Sequence, residues 1–191
     1  MIAAGDMIKW KTLTRVHRFG GSPESLAEIG RRAQAGASIS ELITAEEYRG
    51  AKEVLGNMAL TAGLNHLIDI LAGLNPSAVK WDSSNAFIGV GDDGGAAAAS
   101  QTQLEAERNG TNYQYVAMDA GFPMRTVSLD GHPSVKFRAT FLSGVACWGW
   151  AEWCVANGNG VGKVLLNRKA DIIGTKPAFD LWIFETELVF G

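Results

Sequence analysis

The chain has few of the residues from which reactive sites are built. Of its 191 residues only two are cysteine and three are histidine, and 19% are charged. Cys147 and Cys154 are seven positions apart. In an uninterrupted strand they fall on opposite faces and roughly 23 Å apart, which excludes a disulfide within that strand. Their number and neighbours give no metal-site spacing, so two buried free thiols are expected, in keeping with folding in a reducing cytoplasm. His17, His66 and His132 are scattered, with no Cys, Asp or Glu companion at ligand spacing. Each reads as a surface or hydrogen-bonded histidine, and neither a metal nor a cofactor is expected.

A positive excess is also missing. The net charge is −3, which argues against a general nucleic-acid binder. One basic cluster lies near the start: Lys9, Lys11, Arg15, His17 and Arg18, with Arg31 and Arg32 beyond. It reads either as the solvated faces of a strand and a helix or as a contact with an acidic partner. The longest apolar helical stretch, Met58 to Leu74, is interrupted by Asn65, His66 and Asp69, so no membrane span is expected. The start, Met1 to Asp6, lacks the charged-then-apolar order of a signal peptide, and a soluble protein made without export is expected. No internal repeat or low-complexity linker separates independent domains.

What the chain does have is apolar surface. Apolar residues make up 47%, and six are Trp, a residue favoured in cores and interfaces. From Val135 to Phe141, apolar residues alternate with Lys136, Arg138 and Thr140, the pattern of a strand with one dry face. The last segment, Asp180 to Phe190, carries Trp182, Phe184, Leu188 and Phe190 on one parity and Leu181, Ile183 and Val189 on the other. A strand apolar on both faces is covered on both, by a second sheet, a helix or a neighbouring subunit.

Along the chain, residues 7–19 read as an extended arm or strand. Ser22-Pro23-Glu24 is a helix start, with Ser as N-cap and Pro in the first turn. Thr44-Ala45-Glu46-Glu47 matches a capping box, and Tyr48, Ala51, Leu55, Met58, Ala59, Ala62, Leu67, Ile68 and Leu71 extend a helical stripe to Gly73. Gly56 and Gly63 weaken it, which leaves room for two shorter helices. Strands are expected at 86–90, 113–118, 124–129 and 135–141, the last two joined at Asp130-Gly131-His132-Pro133. The Ala96–Ala99 run reads as the opening of a helix toward Leu104, and another strand is expected from Lys163 to Asn167.

Gly89-Val90-Gly91-Asp92-Asp93-Gly94 matches the dinucleotide-binding pattern G-x-G-x-x-G. Two acids where phosphate would approach, an acid thirty residues on at Asp119, and antiparallel patterning downstream favour a plain loop. Glu152, between Trp150 and Trp153, reads either as a buried general acid or as the ion-pair partner of Arg138 or Arg168. Glu185 and Glu187 have the spacing of a solvated edge as much as of a paired acid site. Asn109-Gly110-Thr111 reads as a turn. Trp148 and Trp150 share one parity while Trp153 takes the other, so in one strand the three cannot fill a single core; interface burial or an exposed sugar platform follows.

These elements combine into a recognisable order. It runs through Asn85-Ala86-Phe87-Ile88-Gly89-Val90-Gly91-Asp92, then Thr102-Gln103-Leu104-Glu105-Ala106-Glu107 and Val135-Lys136-Phe137-Arg138-Ala139-Thr140-Phe141. Trp150-Ala151-Glu152-Trp153, Leu165-Leu166-Asn167-Arg168, Gly174-Thr175-Lys176 and Leu181-Trp182-Ile183-Phe184 complete it. Over residues 57–191 this resembles the virion structural proteins of tailed bacteriophages, from capsid decoration proteins to small tail proteins. The resemblance implies a non-enzymatic structural protein with no catalytic residues to carry over.

The expected architecture is α+β, an antiparallel β-sandwich or jelly-roll-like core. It divides into an extended N-terminal arm (1–20), a helical region packed on the core (21–78) and the sandwich (79–191). The expected role is a capsid decoration or cement protein on the virion surface. Its partners would be the major capsid protein and copies of itself, as in a trimer, with no nucleic acid or membrane partner. Trp10, Arg15, Arg18, Trp148, Trp150 and Trp153 are the expected partner-binding residues, and removal of residues 1–19 is expected to weaken docking while the core stays folded. A tail or head-fibre protein that binds a receptor or glycan through exposed Trp is the alternative.

Overall fold

The computed structural model describes residues 10–191, the side chain of Trp10 excepted. In chain order the elements are β1 (Trp10–Phe19), α1 (Pro23–Gln34), α2 (Ile39–Leu42), β2 (Tyr48–Leu55), β3 (Met58–Ala59), α3 (Thr61–Ala72) and β4 (Phe87–Gly91). Then follow α4 (Glu105–Asn109), β5 (Tyr113–Ala117), β6 (Met124–Val127), β7 (Pro133–Phe141), β8 (Gly149–Ala156), β9 (Leu165–Thr175) and β10 (Leu181–Phe190). The strands form two five-stranded antiparallel sheets, in the order β2-β1-β10-β7-β6 and β3-β9-β8-β4-β5. Between them lies the main core. Val16, Phe137, Phe141, Trp182, Phe184 and Leu188 of the first sheet cluster with Ile88, Val90, Trp150, Trp153, Val155 and Ile173 of the second. The α+β sandwich expected from the alternating patterns is the fold.

The outer face of the first sheet is covered by α1 and α2. Ser22 caps α1 by accepting the Ser25 N–H at 3.2 Å, Pro23 opens it, and Glu24 and Arg31-Arg32 complement its dipole at the two ends. Its Leu26, Ile29 and Ala33 pack with Phe19, Leu42, Leu181 and Ile183. Both faces of β10 are therefore covered from within the chain, one by the opposite sheet and the other by α1. The outer face of the second sheet carries a smaller cluster of Leu60, Leu104, Tyr115, Cys154, Ala156 and Leu165.

The arm is a correction. From Trp10 onward the segment is an interior strand, paired along its length with β10 on one side and with β2 on the other. Val16 and Phe19 are buried, and Thr14 shares a hydrogen bond of 2.9 Å with Thr186. Residues 1–9, including Lys9, lie outside the described residues. Removing residues 1–19 takes a strand from the middle of a sheet, so that truncation is not a clean test of docking.

The helical region is the second correction. Tyr48, Ala51 and Leu55 have helical spacing, yet 48–55 is the edge strand β2, because the hydrogen-bonding edge of β1 outweighs the local pattern. The register shifts between His17 and Phe19, and Gly50 supplies the positive φ of 99° that the extra residue of this bulge needs. Thr44 does not cap a helix; its hydroxyl donates to the Glu41 carbonyl at 2.8 Å and closes α2. The helix proper, α3, begins only at Thr61 and stops where expected, with Gly73 left-handed at φ 66°. The Ala96–Ala99 run is loop, and the short α4 follows it. The sandwich thus draws on residues 10–59 as well as on 79–191.

Candidate functional site

Two of the tryptophans expected to make partner contacts, Trp150 and Trp153, are core residues. Trp150 and Trp153 are 1% and 0% exposed, and both face the interior between the sheets. The Trp150 ring lies 4.7 Å from Phe141 and 4.8 Å from Trp182, and Trp153 lies 5.3 Å from Phe184. The parity argument fails because both rings lie in one core, and the strand pairing beside them is irregular, with a shift of register against β9 between Trp150 and Glu152. Trp148 is half-buried against the same core, and the Trp10 side chain lies outside the described residues. Neither Trp150 nor Trp153 reaches a partner or a sugar.

Arg15 and Arg18 both make contacts within the chain. Arg15 donates from Nε to Glu53 at 2.8 Å. Arg18 reaches across to the second sheet, where it donates to the Ile173 carbonyl at 2.6 Å and sits 4.8 Å from the Trp182 ring centroid. It fastens one sheet to the other.

Glu152 resolves in favour of the ion pair. Arg168 donates from Nε to it at 2.6 Å, and both side chains are fully buried. The same carboxylate accepts the backbone N–H groups of Glu105 and Ala106 at 2.9 and 2.7 Å, in the first turn of α4. Arg168 also donates to Gln101 and to the Gly95 carbonyl, so the pair stitches the loop from 92 to 104 onto the second sheet. This arrangement explains the G-x-G of the decoy motif. A Cβ at Gly91 would stand 2.5 Å from a Glu152 oxygen, and one at Gly89 would stand 2.5 Å from the Tyr115 ring. The loop reading of that motif stands.

A second buried pair carries no local sequence signal. Arg138 donates from Nε to Asp119 at 2.9 Å, and its other nitrogens donate to the carbonyls of Ala37 and Ala33 at 2.7 Å each. It thereby pins the end of α1 to β7. Burial raises the Asp119 carboxyl above its usual range, against the opposing pull of Thr140 and Arg138. Glu185 and Glu187 lie on the central strand β10 and not on a solvated edge. Glu185 is buried with His17 at 3.6 Å, and Tyr48 touches the other His17 nitrogen at 3.4 Å. Burial pushes the Glu185 carboxyl up, but His17, Lys136 and Arg138 together outweigh it and hold it below the usual value. Glu187 accepts from the Ser134 hydroxyl at 2.6 Å.

Both cysteines are free thiols; Cys154 is buried and its thiol is pushed well up, chiefly by burial, while Cys147 is half-buried. No group of three or more His, Cys, Asp or Glu residues able to hold a metal occurs among the described residues. No helix among them is long and apolar enough to cross a membrane.

The outward face of α3 is of a different kind. In α3 only Gly63 is buried, where the missing side chain lets the helix backbone sit against Leu165 and Leu166. Leu64, Ile68 and Leu71 are exposed by 39, 55 and 77%, and Leu74 just beyond the cap by 69%. Their i, i+4, i+7 spacing puts the first three in one stripe. The helix carries a single charge, Asp69, and it is amphipathic: Thr61, Asn65, His66 and Asp69 share one arc, His66 and Asp69 are partly buried, and part of the apolar arc is left outward. The apolar stripe expected through Ala62, Leu67, Ile68 and Leu71 suits either cover over a sheet or an anchor to another body, since hydrophobicity marks a face as dry without saying what dries it. No family model, curated protein or solved structure matches the chain.

Proposed function

We propose that the protein is a non-enzymatic virion structural subunit, a capsid decoration or cement protein that binds the outer shell as a homo-oligomer and stabilises it. The observation that carries this reading is the exposed apolar face of α3, where Leu64, Ile68, Leu71 and the neighbouring Leu74 reach the surface along one helix. A contiguous apolar patch of this kind marks an interaction site. The resemblance of residues 57–191 to phage virion proteins gives the assembly its class. The acids singled out by the sequence are tied into the structure, Glu152 by Arg168 and Glu185 beside His17, which fits a protein whose work is to hold shape. Several modest contacts, to copies of itself and to the major capsid protein, act together to give high avidity on a repeating shell.

Immunogold labelling of intact particles with antibody against this chain tests the reading. Label spread over the heads is the expected result. Label confined to tails or fibre tips overturns the decoration role in favour of the tail or head-fibre role, and unlabelled particles overturn both.

A further inference from the structure

We infer that the α3 face is covered by the α3 of a second copy of this chain, the two helices packing antiparallel about a two-fold axis. The inference rests on the assembly reading and names the surface and the partner. The exposed parts of Leu64, Ile68, Leu71 and Leu74 amount to roughly 400–500 Å², about half of the ~800 Å² per partner that a standard interface buries. The exposed polar residues Thr61, Asn65 and Asn75 lie around the stripe and supply a rim.

Charge selects the occupant. Among Thr61–Ala72 there is no basic residue, and the lone acid, Asp69, is half-buried. A strongly charged partner surface finds nothing to pair with here, whereas a second α3 brings no repulsion and the same row of leucine and isoleucine. The direction follows from the helix ends. α3 has no side-chain cap at Leu60 and no basic residue in its last turn, so neither end of its dipole is compensated by side-chain charge. Antiparallel packing sets the positive end of each helix beside the negative end of the other. A two-fold axis through Ile68 then places Leu64 of one copy opposite Leu71 of the other, at the 8–10 Å axis separation usual for packed helices.

The experiment is analytical ultracentrifugation of the full chain and of Ile68→Glu, with cysteine cross-linking in a Cys147→Ala background. The expected results are a wild-type dimer, a dissociation constant raised at least ~100-fold in Ile68→Glu, and an unchanged circular dichroism spectrum. Ile68→Cys should form a disulfide-linked dimer. Leu64→Cys should cross-link with Leu71→Cys when the two are mixed, and neither should cross-link alone. Cross-linking of Leu64→Cys alone overturns the antiparallel arrangement. A wild-type oligomer that Ile68→Glu leaves intact overturns the α3 surface while self-assembly stands. A wild-type monomer that still labels heads overturns the self-pairing and spares the decoration role, whereas unlabelled particles fail that role whatever the dimer does.

Discussion

The two longest helices of this protein have the same length and opposite finish. α1 and α3 are both 12 residues, and each lies against a sheet. α1 buries Leu26, Ile29, Gly30 and Ala33 and turns Glu24, Glu28, Arg31 and Arg32 away, with Glu28 and Arg31 paired. It is capped by Ser22, and Arg138 holds its end from inside the sheet. α3 buries only Gly63, lacks a side-chain cap, and shows water leucine and isoleucine where α1 shows charge. A helix whose outward face meets water is selected for polar residues there. The contrast teaches that the apolar count of a helix does not reveal whether its partner belongs to the same chain.

The largest effect expected comes from removing the pin under α1. Arg138→Ala leaves Asp119 buried without its cation and frees the carbonyls of Ala33 and Ala37, so it should cost about 3–5 kcal/mol in denaturant unfolding. A loss below 1 kcal/mol would mean that α1 is held by its apolar face alone. The direct contrast is Ile29→Glu against Ile68→Glu. The first places an unpaired carboxylate in the cluster beneath α1 and should cost about 3 kcal/mol or more, while the second should leave unfolding of the isolated chain within about 0.5 kcal/mol. Equal losses would erase the distinction between the two helices.

Gly63→Ala probes how α3 is seated. The new Cβ would stand 2.5 Å from the Leu165 carbonyl oxygen, a backbone atom that cannot rotate aside, so a cost of about 1–3 kcal/mol is expected. Stability at the wild-type level would show that α3 shifts freely on the sheet. Ser22→Ala, which removes a cap that α3 has no counterpart to, should cost about 1 kcal/mol by thermal unfolding. The smallest effect concerns pH at Glu185, beneath the first sheet's outer layer. Its folded pKa is below the unfolded one, so the unfolded state binds more protons in that interval and stability rises with pH there. Its contribution should be complete above the ordinary glutamate value of 4.5 and fade as pH falls through the lower folded value. Glu185→Gln should flatten that part of the acid profile, and an unchanged slope would count against the electrostatic role of His17 and Lys136.

Much of the sandwich was legible residue by residue. The alternation from Val135 to Phe141 is β7, the Asp130-Gly131 signal joins β6 to β7 with Gly131 at φ 80°, and Ser22-Pro23 opens α1. Each of these depends on the sterics and hydrogen bonds of neighbouring residues, which a linear reading contains. The α3 stripe was legible as apolar, with cover over a sheet and an anchor to another body both left open. Of the surface proposed for function, Ile68 and Leu71 were in the stripe read from the sequence, while Leu64, Leu74 and the exposure of all four came only with the structure.

Other features were decided only by packing across long separations. Of the segment read as an arm or strand, residues 10–19 are an interior strand because β10, more than 160 residues later, pairs with each of them. The segment after Thr44 became β2 because β1 offered an edge, although its own spacing suited a helix. Trp150 and Trp153 share one core despite their opposite parity, beside an irregularity in the pairing of β8 with β9. Glu152 had two cations at sequence-compatible positions, and the neighbouring strand β9 delivered Arg168 while α1 and Asp119 claimed Arg138. Local sterics set which residues become strand or helix. Register, bulges and the order of strands set which side chains meet and which are left outside, and those are properties of the whole sheet.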